Sequence, residues 1–191
     1  MFEAFKNRIR QLYPLSDADC EIFRDSFTVK RFRKNEVWMA PGQICREMGF
    51  LSEGIFRMYY LKDGKEINAH FFFEGEFVTA YQSFLAQVPS GCYIEALENA
   101  ELFVFSHDKL QRVYEGSHGW ERFGRLIAEA CYLDAMGRSE SFLFQNGEQR
   151  YLELTKNNPQ MLNRIPLYHI ASYLGLERET LSRLRKKIVQ E

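Results

Sequence analysis

Gly175 separates two short helical segments near the end of the chain, PLYHIASYL before it and LERETLSRLRKKI after it. Ala171 lies four residues before the glycine, where a small side chain allows two helices to cross closely. The apolar residues around the glycine recur at spacings that place them between the two helices: Ile170, Leu174, Leu176, Leu181 and Leu184. This pattern predicts a helix-turn-helix, whose second helix is presented to the major groove of DNA.

The second helix of this pair also carries an outward face that packing alone does not require: Arg178, Glu179, Ser182, Arg183 and Lys186. Arginine can bond two acceptors on guanine and glutamate can accept from N4 of cytosine, so an Arg-Glu pair at a helix start suits base readout. Arg185, Lys186 and Lys187 are better placed for phosphates, which fix position rather than sequence. The alternative is an ordinary helical hairpin, which needs the same small and apolar residues but no such face.

The middle of the chain, from about residue 28 to residue 106, has the pattern of short strands. Glycines recur ten to twelve residues apart, at Gly42, Gly54, Gly64 and Gly75. That spacing is typical of a β-sandwich or barrel. The sequence Asp63-Gly64 suits a tight hairpin turn between IFRMYYL and INAHFFF. In the second of these runs apolar residues alternate from Ile67 onwards, which predicts a half-buried strand.

A long helical stretch is predicted at roughly residues 118–144. Its length of ~27 residues corresponds to ~40 Å. An apolar seam with steps of three and four residues consists of Trp120, Phe123, Ile127 and Ala130. Sustained seams of this kind are a coiled-coil feature, so we favour dimerisation through these residues over one edge of a globular core. The predicted domains are residues 1–117, residues 118–146 as the central helix, and an all-helical domain of residues 147–191.

Composition excludes several functional classes. The net charge is −1, so affinity for nucleic acid must come from a local patch. The four cysteines lack the short spacings of zinc or iron–sulfur motifs, and no cofactor is assigned. No nucleophile, base and oxyanion donors recur at recognisable spacing, so an enzyme is not expected. No signal peptide or membrane-spanning run is evident, and the expected location is the cytoplasm.

At the recognition-helix segment RETLSRLRKK, the chain resembles the Crp/Fnr transcription regulators. The family's hallmark there is Arg-Glu-Thr, then two intervening residues and an Arg, which here are Arg178, Glu179, Thr180 and Arg183. Three further segments look like the family's cyclic-nucleotide-binding fold: MAPGQ, FLSEGIFRMYYLKDGKE and EGEF. The resemblance implies an α+β chain with an N-terminal β-roll of jelly-roll type, a long central dimerisation helix and a C-terminal helix-turn-helix.

What the resemblance implies about function is a homodimeric regulator that binds double-stranded DNA and contacts RNA polymerase. Its two recognition helices would enter successive major grooves ~34 Å apart. The family usually adds a β-hairpin wing after the recognition helix, and the sequence ending at Glu191 leads us to expect at most a stub.

The resemblance also places a candidate effector pocket in the β-roll, at Gly75, Glu76, Phe77, Thr79, Ala80, Ser90 and Gly91. The family's cyclic-AMP binders have a Gly-Glu pair and an Arg-Ser pair where this chain has Thr79-Ala80 and Ser90-Gly91. Because an anionic cyclic phosphate needs charge-assisted partners in a β-roll interior, we expect no cyclic-AMP binding of the usual kind. The effector is then an unidentified small molecule or none. The alternative function is a ligand-sensing or protein-interaction module that binds no DNA.

Overall fold

The computed structural model describes residues 2–22, 24 and 27–190. The chain forms two compact units, Met1–Met58 with Phe71–Ala130, and Tyr59–His70 with Cys131–Glu191. The predicted α+β class with a jelly-roll-like β-domain and helices following it is confirmed. The predicted domain limits at residues 117 and 146 stay predictions, whereas the compact units divide the long helix and assign a strand hairpin to the C-terminal unit.

Unit 1 opens with two helices, α1 (Phe2–Leu12) and α2 (Asp17–Glu21). The strands are β1 (Thr28–Phe32), β2 (Val37–Met39), β3 (Glu47–Glu53), β4 (Phe56–Lys62), β5 (Lys65–Phe72), β6 (Phe77–Val78), β7 (Tyr93–Ala96) and β8 (Ala100–Ser106). Most of β4 and β5, from Tyr59 to His70, belongs to unit 2. Two helices lie among and after them, α3 (Tyr81–Ala86) and α4 (His107–Gly116), and α5 (His118–Phe144) begins in this unit.

The strands form two four-stranded sheets with the orders β1-β8-β3-β6 and β2-β7-β4-β5. In the first sheet β3 pairs antiparallel with β8, and Gly49 lies opposite Val104. A Cβ at Gly49 would lie 2.9 Å from Leu102 Cδ1, so glycine permits the close packing of that sheet. The central strands β3 and β8 of this sheet are buried along most of their length, which agrees with the sandwich that the glycine spacing indicated.

The two short N-terminal helices pack onto the start of α5. Ser16 caps α2 by accepting from Asp19 N. The Asp19 carboxylate accepts from Ser117 Oγ at 2.6 Å, and its carbonyl accepts from Trp120 Nε1 at 2.8 Å. Phe5 is 1% exposed and lies with its ring centroid 6.3 Å from that of Trp120. The first turns of α5 are thus held in the core of unit 1.

Unit 2 contains the second half of α5 and four further helices: α6 (Gly147–Asn157), α7 (Pro159–Arg164), α8 (Leu167–Leu174) and α9 (Arg178–Gln190). Asn146 begins α6 with a capping box that includes Gln149. Asn146-Gly147 and Asn158-Pro159 are the kinds of sequence that bound a helix, whereas no sequence pattern marks the six-residue α7. Among the described residues no helix is long and apolar enough to cross a membrane.

Strand β5 departs from its predicted alternation. Ile67, expected on the buried face, is 42% exposed, whereas Asn68 is 1% exposed. The reason is a contact with α8: the Asn68 side-chain Nδ2 lies 3.3 Å from His169 Nδ1, and the backbone N donates to Ser172 Oγ at 3.0 Å. A polar side chain is buried here because it has partners, which a hydrophobic pattern does not reveal.

Candidate nucleic-acid interface and β-roll interior

Helices α8 and α9 pack through the side chains that the glycine-centred pattern placed between them. Ile170, Ala171, Leu174 and Leu181 are each at most 3% exposed, and Leu176 and Leu184 are partly buried. Gly175 ends α8 with φ +66, and Leu176 N donates to Ala171 O at 2.9 Å across the turn. This left-handed ending is the usual role of glycine after a helix, so the turn and the packing both agree with the prediction.

The burial of Leu181, which is 0% exposed, fixes the rotation of α9. At about 100° per residue, the opposite side of the helix is then formed by Glu179, Ser182, Arg183 and Lys186. Of the residues predicted to contact DNA, six are exposed and Thr180 and Ser182 are partly exposed; the exposed ones are Arg178, Glu179, Arg183, Arg185, Lys186 and Lys187. The structure brings all eight onto α9.

Four of the five exposed cations of α9 have no acidic partner among the described residues. Lys187 Nζ lies 3.0 Å from Glu148 Oε1 of α6, so its charge is partly used within the unit. Within the part of the chain that the structure describes, Arg178, Arg183, Arg185 and Lys186 form no ion pair. Four such cations along one short helix make a local positive surface on a chain of net charge −1. Such a surface attracts phosphates.

The turn between α8 and α9 is held by two arginines from α5 and α6. Arg138 Nη2 donates to Tyr173 O at 2.9 Å, and Arg150 donates to Leu174 O through Nε at 3.0 Å and Nη2 at 2.9 Å. These carbonyls belong to the last turn of α8, where no intrahelical N–H reaches them. Both guanidinium groups lie over the Phe142 ring, at 5.0 Å and 4.4 Å from its centroid. The sequence does not predict the roles of Arg138, Arg150 and Phe142, because no local pattern marks them.

The residues predicted to mediate dimerisation do not share one exposed surface. Trp120 and Phe123 are 2% and 5% exposed, in the core of unit 1, and Ile127 packs partly against that core. Ala130 is exposed. A different set of apolar side chains on α5 faces solvent: Tyr132, Leu133, Met136, Leu143 and Phe144, which are 41–81% exposed. The three-and-four spacing identified the intramolecular face because a helix that packs on its own core has the same period.

In the β-roll interior, the predicted pocket residues bond to their own chain. Thr79 Oγ1 donates to Glu47 O at 3.2 Å and lies 3.2 Å from Cys45 Sγ. Ser90 Oγ accepts from Cys92 N at 3.1 Å. Both hydroxyl residues are buried, at 6% and 8% exposed. Both hydroxyls therefore bond to backbone and thiol groups of the β-roll itself.

The remaining predicted pocket residues have separate roles. Gly75 takes φ +85 in the turn before β6, where its carbonyl accepts from Arg8 Nε at 3.0 Å. Glu76 accepts from Phe73 N at 3.0 Å within the same turn. Ala80 is 4% exposed in the core, whereas Gly91 is exposed. These contacts build the turn and the core of the β-roll.

Phe77 lies instead on an apolar cavity of about 40 Å³ between α3, α4 and the first half of α5. Its other aromatic walls are Phe5, Tyr81, Phe84, Phe105, Tyr114, Trp120 and Phe123. Burial, with a smaller contribution from Tyr81, raises the pKa of Tyr114 to about 12. A Cβ at Gly124 would lie 2.3 Å from Tyr114 Oη, so this side chain is tightly held against α5.

Comparison with known proteins agrees with this architecture. Residues 29–117 match the family model described as the cyclic nucleotide-binding domain. Comparison with curated protein sequences finds no match. The structure is similar to that of a Eubacterium rectale protein named as a regulator of the Crp/Fnr family, with 18% identity, a TM-score of 0.72 and coverage of 94% of this chain and 88% of the other.

Two further solved structures have a similar fold. The c-di-GMP-responsive global regulator CLP of Xanthomonas campestris is 19% identical, with a TM-score of 0.71 and 92% of each chain covered. FixK2 of Bradyrhizobium japonicum is 17% identical, with a TM-score of 0.72 and coverage of 86% of this chain and 85% of the other. Likenesses at these identities show the fold: a cyclic-nucleotide-binding-type domain followed by helices arranged as in Crp/Fnr regulators.

Proposed function

We propose that the chain is a DNA-binding transcriptional regulator of the Crp/Fnr type, in which α8 and α9 form a helix-turn-helix. The observation that carries the proposal is the exposed side of α9, opposite the buried Leu181. Arg183 and Glu179 occupy the centre of this side and offer the donors and acceptor that read base edges in the major groove. Lys186 lies on the same side, whereas Arg185, one turn after Leu181, lies at its edge; both are suited to phosphates.

The proposed regulator acts as a homodimer through the exposed apolar row of α5. Leu133, Met136 and Leu143 follow one another at steps of three and seven residues, which keeps them on one side of the helix. Exposed apolar rows of this kind on a single helix are covered by partner helices. A parallel pairing would place two α9 helices on one side of the dimer, as successive grooves of DNA require.

The proposed sensor function of the β-roll does not use cyclic AMP. Thr79 and Ser90 are buried and bonded to their own chain, and neither position supplies a charge for a cyclic phosphate. An effector, where one acts, is then of different chemistry from the family's cyclic nucleotides. RNA polymerase remains the proposed protein partner of the DNA-bound dimer.

Fluorescence polarisation tests the assignment of α9. A labelled duplex chosen by in vitro selection is titrated with the wild type, with Arg183→Ala and with the control Arg112→Ala, whose exposed arginine lies on α4. Loss of a base-reading arginine is expected to weaken binding by about 1–3 kcal/mol, whereas the control binds as the wild type does. Equal binding by all three proteins contradicts base reading by Arg183. No binding of any duplex at low salt contradicts the whole proposal and favours a protein-interaction module.

A further inference from the structure

The tip of the β4–β5 hairpin belongs to the same compact unit as α8 and α9. Strand β5 ends the order β2-β7-β4-β5, so one side of its backbone has no neighbouring strand in that sheet. Edge strands present rows of N–H and C=O groups that proteins usually cover or blunt. In β5, one such N–H and one such C=O are bonded by a single side chain of α8.

Ser172 of α8 bridges the edge of β5 in the way that a neighbouring strand would. Its hydroxyl accepts from Asn68 N at 3.0 Å and donates to Glu66 O at 2.7 Å. Glu66 and Asn68 are two residues apart, the spacing at which groups on one side of a strand recur. A single hydroxyl therefore serves both a donor and an acceptor of the strand edge.

Two further contacts enclose this bridge. The side chains of Asn68 and His169 are 1% and 3% exposed, and Asn68 Nδ2 lies 3.3 Å from His169 Nδ1. Arg138 of α5 approaches Asn68 O at 3.4 Å and donates to Tyr173 O at 2.9 Å. Its guanidinium also stacks on the Tyr173 ring, at 4.0 Å from the centroid. Helix α8 is thus fixed by the hairpin and by α5 together.

We propose that this hairpin contact, made by Glu66, Asn68, Ser172, His169 and Arg138, sets the orientation of the helix-turn-helix for DNA binding. Ser172 and Arg138 are its positioning residues, and neither is expected to touch DNA. The inference rests on the proposed DNA-binding function. The contact engages α8 and leaves the outward side of α9 uncovered, so it orders the DNA-binding surface without occupying it.

The consequence for a dimer follows from geometry. Two recognition helices must enter major grooves at a fixed separation, so a small rotation of each helix-turn-helix costs affinity when both half-sites are bound together. Binding to one isolated half-site does not depend on that separation. Loss of the hairpin contact therefore weakens full-site binding selectively, whereas a folding defect in α8 or α9 weakens both.

The test compares Ser172→Ala with Ser172→Thr, which keeps the hydroxyl, and with Thr155→Ala. The Thr155 hydroxyl donates to Leu152 O within α6 and provides the matched control. Affinities for a selected full site and for its half-site are measured over a range of salt concentrations. Ser172→Ala is expected to bind the full site about tenfold more weakly, with half-site binding within about twofold of wild type and an unchanged salt slope. Ser172→Thr and Thr155→Ala are expected to match the wild type.

Amide hydrogen exchange provides a readout that does not require DNA. In Ser172→Ala, amides of β5 around Asn68 are expected to exchange faster than in the wild type, and in Thr155→Ala they are not. If the β5 amides exchange at the wild-type rate in Ser172→Ala, the hydrogen bonds between Ser172 and β5 are contradicted. Faster exchange with unaltered full-site affinity, or an equal loss at full and half sites, overturns its positioning role. Absence of DNA binding by the wild type instead overturns the proposed function and with it the positioning role.

Discussion

The ring of Phe142 occupies the space beside Gly175, and a Cβ added to that glycine would lie 2.8 Å from Phe142 Cε1. Gly175 also has φ +66, a conformation that side chains with a Cβ rarely adopt. The residue is therefore constrained twice, by its own backbone and by a side chain of the long helix. This contact places the turn between α8 and α9 directly against α5.

Gly175→Ala is expected to destabilise unit 2 by about 1–3 kcal/mol, because it adds backbone strain and displaces the Phe142 ring. Chemical denaturation followed by circular dichroism measures the change. Gly137→Ala is the control, since Gly137 lies within α5 and a Cβ there meets nothing within 4 Å. That substitution is expected to leave stability unchanged or to raise it by up to about 1 kcal/mol. Equal effects of the two substitutions would contradict the packing described.

Leu133→Arg is expected to convert the proposed dimer to a monomer, because it places a charge in the apolar row of α5. Light scattering after size exclusion should change from twice the chain mass of 22.6 kDa to that mass. Leu152→Arg, at an exposed leucine of α6, is the control and should remain dimeric. A wild type that is monomeric at high concentration would disprove dimerisation.

The substitution Trp120→Ala tests whether the buried apolar face of α5 serves folding, in contrast to the exposed apolar row. The Trp120 side chain is 2% exposed in the core of unit 1, so its loss is expected to cost about 3–5 kcal/mol of folding stability. Thermal unfolding should shift strongly downwards under conditions in which Leu133→Arg unfolds near the wild-type temperature. If Trp120→Ala instead dissociates the dimer without a loss of folding stability, the dimer interface is the apolar seam that the sequence predicted.

Tyr114 is expected to affect stability at alkaline pH. Burial raises its pKa to about 12, whereas an unfolded chain has a tyrosine pKa near ~10. The folded state then holds the proton more tightly, so this contribution to stability is fully present below pH ~10 and is lost as pH rises to ~12. Denaturation between these pH values should show a shallower decline for Tyr114→Phe than for the wild type. Identical slopes would show that Tyr114 ionises normally.

Cyclic AMP is expected to give no binding heat in a calorimetric titration with the wild type at micromolar concentrations. The physical reason is that Thr79 and Ser90 are buried, uncharged and engaged with their own chain. Saturable micromolar binding would contradict this account of the β-roll. A thermal shift with the same ligand provides the independent check, because a ligand that binds the folded state raises the unfolding temperature.

Local sequence patterns predicted the features that depend on residues close together in the chain. Gly175 and Ala171 identified the α8–α9 pair, which the structure contains. The long helix has the predicted bounds, His118–Phe144. Patterns failed where the partner is distant in sequence. Burial of Asn68 depends on Ser172, more than a hundred residues away, and burial of Trp120 depends on α1 and α2.

The central claim is that α9 reads DNA, and in vitro selection from a random duplex library at low salt tests it most directly. The expected result is enrichment of a two-fold symmetric sequence with half-site centres about one helical turn, ~34 Å, apart. Arg183→Ala should lose discrimination at one position of each half-site, while Arg112→Ala selects the wild-type sequence. Failure of the wild type to enrich any sequence, or enrichment that does not change in Arg183→Ala, would contradict the claim.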